Sequence, residues 1–170
     1  GQLLKGNVRF RHDDAYLYCD SAYFFEERNS FNAYGHVRIV QGDTLFIYGD
    51  VLYYDGDTKM ARLRKNVRMH NRTVRLTTDS LNYDRGANVG YYFTGGKLTD
   101  ATNTLTSKFG YYYPGLEMAL FRGKVRLTNP NFVMDADTLK YFTETDLAQI
   151  LGPTTVLYEK ETTIYSEKGW

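Results

Sequence analysis

One element of this chain returns at a near-constant interval. Gly6-Asn7-Val8-Arg9 recurs as Gly35-His36-Val37-Arg38, Lys65-Asn66-Val67-Arg68 and Gly123-Lys124-Val125-Arg126, with a weaker copy at Gly96-Lys97-Leu98-Thr99. The central apolar residues are 29, 30, 31 and 27 positions apart. A second element, Asp-x-(Leu/Ala)-x-(Tyr/Phe), follows each copy: Asp20-Ser21-Ala22-Tyr23-Phe24, Asp50-Val51-Leu52-Tyr53-Tyr54, Asp79-Ser80-Leu81-Asn82-Tyr83 and Asp137-Thr138-Leu139-Lys140-Tyr141. The fourth copy falls at Lys108-Phe109-Gly110-Tyr111-Tyr112 and keeps only its closing tyrosine. Two elements sharing one period demand a repeat architecture, in which no unit buries its apolar face alone and stacked neighbours bury it together.

Alternation within the repeats assigns their faces. Val8 and Phe10, Val37 and Ile39, Val67 and Met69, and Val125 and Leu127 fall on one side of a strand, with Arg9, Arg38, Arg68 and Arg126 on the other. In the strand that follows, the phase slips. Leu45 and Ile47 are apolar at odd numbers, but after Asp50 the apolar pair is Leu52 and Tyr54; Leu81 with Tyr83 and Leu139 with Tyr141 repeat the slip. A one-residue slip turns the rest of a straight strand inside out, so the chain must bulge or turn a corner near each Asp. The repeat is then a bent ribbon that returns through a third strand such as Met60–Arg64 or Met118–Arg122. Leu147, Ile150 and Leu151 stand at helical spacing, but the repeat register assigns Ala148–Leu151 to a returning strand.

The fold class that follows is all-β: a solenoid-like bent β-sandwich, of the β-jellyroll or β-taco kind, with about five repeats over a single domain spanning residues 1–170. Both ends of the chain lie in repeat phase, which predicts a piece of a longer repeat protein or one made to stack end to end. Composition agrees with a packed fold, since 42% of the residues are hydrophobic and 16% aromatic. A net charge of +1 provides no global field to recruit nucleic acid, so no nucleic-acid partner is expected. The lone Cys19 leaves the redox compartment open.

The two motifs are similar to those of the OstA-like family of lipopolysaccharide-transport proteins, whose repeats carry a Gly-Asn-Val-x strand and then a strand ending in (Ala/Thr)-Asp-x-Leu-x-Tyr. The matching residues are Gly6-Asn7-Val8-Arg9 and Lys65-Asn66-Val67-Arg68 for the first, Thr78-Asp79-Ser80-Leu81-Asn82-Tyr83 and Ala136-Asp137-Thr138-Leu139-Lys140-Tyr141 for the second. The resemblance runs from about Leu3 to Glu167. It implies a periplasmic bent β-sheet that shelters the acyl chains of lipopolysaccharide, or of another acylated lipid, and joins like modules head to tail. The fourth repeat departs from the pattern at Tyr111-Tyr112-Tyr113-Pro114-Gly115 and lacks the Asp.

On this basis the apolar groove is assigned to Val8, Phe10, Val37, Ile39, Leu52, Tyr54, Val67, Met69, Leu81, Tyr83, Val125, Leu127, Leu139 and Tyr141. Arg9, Arg38, Arg68 and Arg126 are candidates for the phosphorylated headgroup, because guanidinium groups meet phosphate bidentately. A solvated sheet flank is the plainer role for them.

Asp20, Asp50, Asp79 and Asp137 stand at equivalent points, as would the carboxylates of a solenoid carbohydrate enzyme. Catalysis needs one differentiated site, so a repeated residue points to local corner hydrogen bonding. His12, His36 and His70 show no ligand spacing, and Cys19 has no adjacent base. No cofactor, metal or catalytic residue is expected. The function expected is a non-enzymatic periplasmic lipid-transport or lipid-shielding module; the alternatives are a carbohydrate-active β-helix enzyme and a closed structural solenoid.

Overall fold

The Gly-Asn step of the first repeat element is left-handed at both residues. Backbone φ is 81° and 49° at Gly6 and Asn7, 77° and 49° at Gly35 and His36, 68° and 52° at Lys65 and Asn66, and 77° and 50° at Gly123 and Lys124. L-residues pay roughly 1–2 kcal/mol in that region, whereas glycine enters it freely and asparagine tolerates it. The step is therefore a kink inside a strand, where the sequence pattern alone suggested the start of one.

The computed structural model describes residues 1–12, 14–145, 147–158 and 162–169, which are almost entirely strand, with 3-10 turns at Glu26–Arg28 and Pro114–Leu116. Its contacts divide the chain into two compact units, Gly1–Asn88 and Val89–Trp170. The first is an antiparallel meander of β1 (Gln2–His12), β2 (Ala15–Phe25), β3 (Ser30–Gln41), β4 (Leu45–Asp55), β5 (Met60–Asn71) and β6 (Val74–Asp84).

Every strand of the meander bends at the same level. Lys5 pairs with Ser21 and Val8 with Cys19, so the left-handed Gly6 and Asn7 lie opposite the single Asp20. Gly35 and His36 face Asp20 on one side and Asp50 on the other, and Lys65 and Asn66 face Asp50 and Asp79. Two residues against one is a β-bulge, which bends the bulged strand and changes the phase of its partner. The segment Met60–Arg64, expected as a separate returning strand, is one arm of β5, and Val67–Asn71 is the other.

The rings of Phe10 and Phe24 prove the bend. Phe10 pairs in the ladder with Leu17 and Phe24 with Gln2, yet the two ring centroids are 5.0 Å apart. In a straight β2 the Leu17 and Phe24 positions would be about 23 Å apart. The two arms thus face each other as walls. Val8, Cys19, Val37 and Val67 line one wall beside the corner, and Ala22, Ala33, Leu52, Leu63 and Leu81 the other, all buried. Each such valine or leucine stabilises the fold by about 1.5–3 kcal/mol.

The second unit repeats the plan with interruptions. β7 (Val89–Tyr92), β8 (Gly96–Thr99), β9 (Thr104–Ser107) and β10 (Phe109–Tyr113) are short, and β11 (Met118–Thr128), β12 (Phe132–Phe142), β13 (Leu147–Tyr158) and β14 (Thr162–Gly169) follow in antiparallel order. β9 and β10 both pair with β11, either side of Lys108, so together they stand for one bent strand with lysine in the Asp slot. The Lys108 amide donates to the Gly123 carbonyl at 2.9 Å, and its own carbonyl accepts from the Gly95 amide at 2.9 Å. Gly123 and Lys124 face Asp137, as does Gly152 across β13. β13 is a strand throughout, and tertiary pairing overrides the helical spacing of Leu147, Ile150 and Leu151.

Tyr92 occupies the corner of the degenerate repeat. It is 3% exposed, and its hydroxyl is hydrogen-bonded to that of Ser107, which also donates to the Phe109 carbonyl at 2.9 Å. Added Cβ atoms at Gly96 and Gly110 would lie 2.6 and 2.3 Å from the Tyr92 ring. Two glycines make room for the aromatic that replaces the regular corner packing.

Candidate functional site

Within each unit the interior between the walls grades from shut to open. Beside the corner, Val8, Val37, Leu52, Val67, Leu81, Val125 and Leu139 are buried. Two positions farther along the same faces, Phe10, Ile39, Tyr54, Met69, Tyr83, Leu127 and Tyr141 are only half-buried. Leu17, Leu76 and Met134, paired with residues of that second level, stay buried, so the walls meet tightly at the bend and admit solvent only in part away from it. Such a cleft, dry at its floor and lined by large apolar groups toward its mouth, has the shape and chemistry to exchange its contact with water for contact with an apolar chain.

Its filling is uneven within the first unit. Phe10, Phe24, Phe31 and Tyr54 form an aromatic string with ring centroids 5.0–5.9 Å apart, and Phe10 reaches it from the opposite wall. The Tyr54 hydroxyl accepts from Arg85 Nη1 at 3.2 Å. On β5, by contrast, the inner positions are Ala61 and Met69, both half-buried. The sequence pattern did not assign Phe24, Phe31 and Ala61 to the groove. Phe24 was visible as the closing aromatic of its Asp element, and the alternation of β3 and β5 ahead of the kink marks the other two.

The outward faces carry the arginines. Neighbouring strands place Arg9, Tyr18, Arg38, Tyr48 and Arg68 in one cross-strand row. The Arg38 guanidinium carbon lies 4.3 Å from the Tyr18 ring centroid, and that of Arg68 lies 5.2 Å from Tyr48. Arg126 occupies the same register in the second unit but is held by Asp135 through two bonds of 2.7 and 3.0 Å, which also raise its pKa. Ser80, which alternation with the inner Leu81 sends outward, is nonetheless only 6% exposed, and its neighbour Asn82 is also buried and accepts from Arg64 Nη1 at 2.8 Å.

Along the corner, Asp20, Asp50 and Asp137 bond to side chains rather than to the turn backbone that the sequence suggested. Asp20 Oδ2 lies 2.8 Å from His36 Nδ1, Asp50 Oδ2 accepts from Asn66 Nδ2 at 2.9 Å, and Asp137 Oδ2 accepts from the Thr138 hydroxyl at 3.1 Å. The hydrogen bond to Asp20 and the charge of that carboxylate raise the His36 pKa above its usual value. Burial first, and then the adjacent Asp20 charge, push the Cys19 thiol up, so it stays protonated and unreactive. Among the described residues no cluster of His, Cys, Asp and Glu has the arrangement of a metal site.

Kinked two-arm strands, an apolar interior within each unit and a repeated corner define the class of bent β-repeat proteins. The chain belongs to the OstA-like protein family, whose family model matches residues 1–137. Among solved structures it is similar to LptH of Pseudomonas aeruginosa, described as the LptA-homologous periplasmic component of the lipopolysaccharide transport device. The TM-score is 0.55 at 10% identity, over 63% of this chain and 81% of that one, a likeness of fold. No curated protein matches the chain.

Proposed function

We propose that the chain is a non-enzymatic, periplasmic module for transporting or shielding lipopolysaccharide or another acylated lipid, with acyl chains held between the two walls. The observation that carries this reading is the graded interior, a buried floor with half-buried Met69, Tyr83, Ile39 and Leu127 above it. Removing acyl CH2 groups from water there gives about 0.8 kcal/mol each. Membership of the OstA-like family and the fold shared with a lipopolysaccharide-transport component support it. The paired edge of β1 faces β2. A like module joining head to tail would add its strand to a sheet edge, the mode by which an exposed edge accepts a partner.

Photo-crosslinking tests the reading. A benzophenone side chain at Met69 or Tyr83 labels lipopolysaccharide, and one at Tyr53 or Arg62, paired with each other on the exposed outward face of the other arms of β4 and β5, labels it weakly. Equal labelling at Met69 and Arg62 removes the assignment of faces. Absence of labelling at every inner position favours a solenoid filled by its own side chains, a reading to which the Phe10 contact across the walls gives some weight.

A further inference from the structure

The outward face of one wall in the first unit is strongly and one-sidedly cationic in a chain of net charge +1. The wall is formed by the arms Val8–His12, Ala15–Cys19, Val37–Gln41, Leu45–Gly49, Val67–Asn71 and Val74–Thr78, and its outward positions carry Arg9, Arg11, Arg38, Arg68 and Arg75. Among the described residues those positions hold no carboxylate. Between the arginines stand Tyr16, Tyr18, Phe46 and Tyr48, with His70 5.6 Å from the Tyr48 ring. Among the described residues, the acidic groups of these arms and their turns stand at the corner (Asp20, Asp50, Asp79) and in the end turns (Asp14, Asp43). A shallow cavity of about 440 Å³ opens where the row meets the corner, lined by Tyr18, Arg38, Tyr48, Arg68, Asp20 and His36.

The second unit supplies an internal comparison. At the same register Arg126 faces Asp135 and is neutralised by it. Arg38 and Arg68 instead face Tyr48, and Arg38 also faces Tyr18. A guanidinium lying on a tyrosine ring is fixed in place but keeps its N–H fork, whereas one clamped by a carboxylate has spent it. Arg9, Arg38 and Arg68 recur on every second strand, about 9.6 Å apart.

We propose that this face is a binding site for an extended anionic glycan, a sugar chain whose phosphate or carboxylate groups recur along its length. The arginines take the anionic groups, and the flat tyrosine edges between them take sugar C–H faces. The site lies on the opposite side of the wall from the apolar interior, so it does not depend on whether acyl chains enter there.

The test is calorimetric titration of the intact chain with three acyl-free probes: alkali-deacylated lipopolysaccharide oligosaccharide, polygalacturonate and neutral dextran. Saturable binding of either anionic probe, weakening with added salt, together with no binding of dextran, is the expected result. The first probe binding better assigns the site to a phosphate-bearing glycan, and the second to one that bears carboxylates alone. Replacing Arg38 and Arg68 together by Gln should lower the affinity by about tenfold or more, while Arg126→Gln should change it by less than about twofold. Tyr48→Leu should weaken binding, separating a stacked site from a merely charged one. An unchanged melting temperature in each variant shows that the sheet is intact. Equal affinity in the double variant, equal binding of dextran, or tighter binding of a poly-glutamate peptide than of either glycan would overturn the proposal, the last result assigning the face to an acidic protein.

Discussion

Phe10 and Phe24 meet edge to face, with their ring planes inclined by 75° and their centroids 5.0 Å apart, across a hairpin whose ladder holds them at opposite ends. This contact ties the two walls where the chain begins. It follows that Phe10→Ala loosens the walls and not merely one strand. The substitution should cost about 2 kcal/mol, less than a fully buried phenylalanine because the ring is half-buried. Phe10→Leu should cost less than half of that. Urea unfolding midpoints measure both, and equal stability of wild type and Phe10→Ala would show that the rings do not hold the walls together.

The kinks predict a sign change between two neighbouring repeats. Gly35 has a φ of 77°, and a Cβ there would sit 2.4 Å from Asp20 Oδ2, so Gly35→Ala suffers both strain and a clash and should lose about 2 kcal/mol. Gly6→Ala, at φ 81° with open space around it, should lose only the conformational part, about 1 kcal/mol. Lys65 fills the same slot at φ 68°. Lys65→Gly should therefore raise the melting temperature, because relief of left-handed strain exceeds the extra entropy of glycine in the unfolded chain. A fall on Lys65→Gly would contradict the bulge assignment.

His36 should titrate above the ordinary value of 6.5 for its type, since Asp20 bonds to the ring and favours the imidazolium. A folded pKa above the unfolded one means that the pair's contribution is present in full below the unfolded pKa and fades as pH rises through the folded value. NMR titration of the ring protons follows this directly. Asp20→Asn should return the midpoint toward 6.5, and an unmoved midpoint would show that the carboxylate is not the cause.

Tyr92 predicts a different pair of outcomes in the second unit. Tyr92→Phe should cost about 1 kcal/mol, the net value of one hydrogen bond, because Ser107 keeps its bond to the Phe109 carbonyl. Tyr92→Ala leaves a void lined by Gly96, Gly110 and Ser107 and should cost about 3–5 kcal/mol. Differential scanning calorimetry checks both, and similar losses for the two variants would mean that the ring does not fill the corner.

The bend was legible because parity is visible in a sequence. Leu45 and Ile47 give way to Leu52 and Tyr54 across Asp50, and only a bulge keeps both pairs on one interior. What parity could not assign is which strand bulges. Gly6-Asn7 looks like a strand opening because Val8 and Arg9 alternate after it, and nothing in Lys65 announces that a lysine sits in a left-handed glycine slot. The arginine row was legible as a face, but not its partners: that Arg38 lies on Tyr18 while Arg126 is clamped by Asp135 depends on cross-strand register, which sequence spacing leaves free. Tyr92 was hidden by the decay of the fourth repeat. Its signal is the pair of glycines, Gly96 and Gly110, that a packed aromatic requires on either side.

The two-against-one corner also governs how such a chain tolerates change in length. Deleting one residue of Gly35-His36 would leave one residue facing Asp20 and Asp50 in place of two. Every side chain on one arm of β3 would then trade the interior for solvent. Loss or gain of a whole hairpin, or of residues in the turns between strands, leaves the parity of both arms intact. Lineages of this fold should accordingly vary in steps of complete bent hairpins and in their turns, while the corner remains a site where a single-codon indel is lethal to the fold.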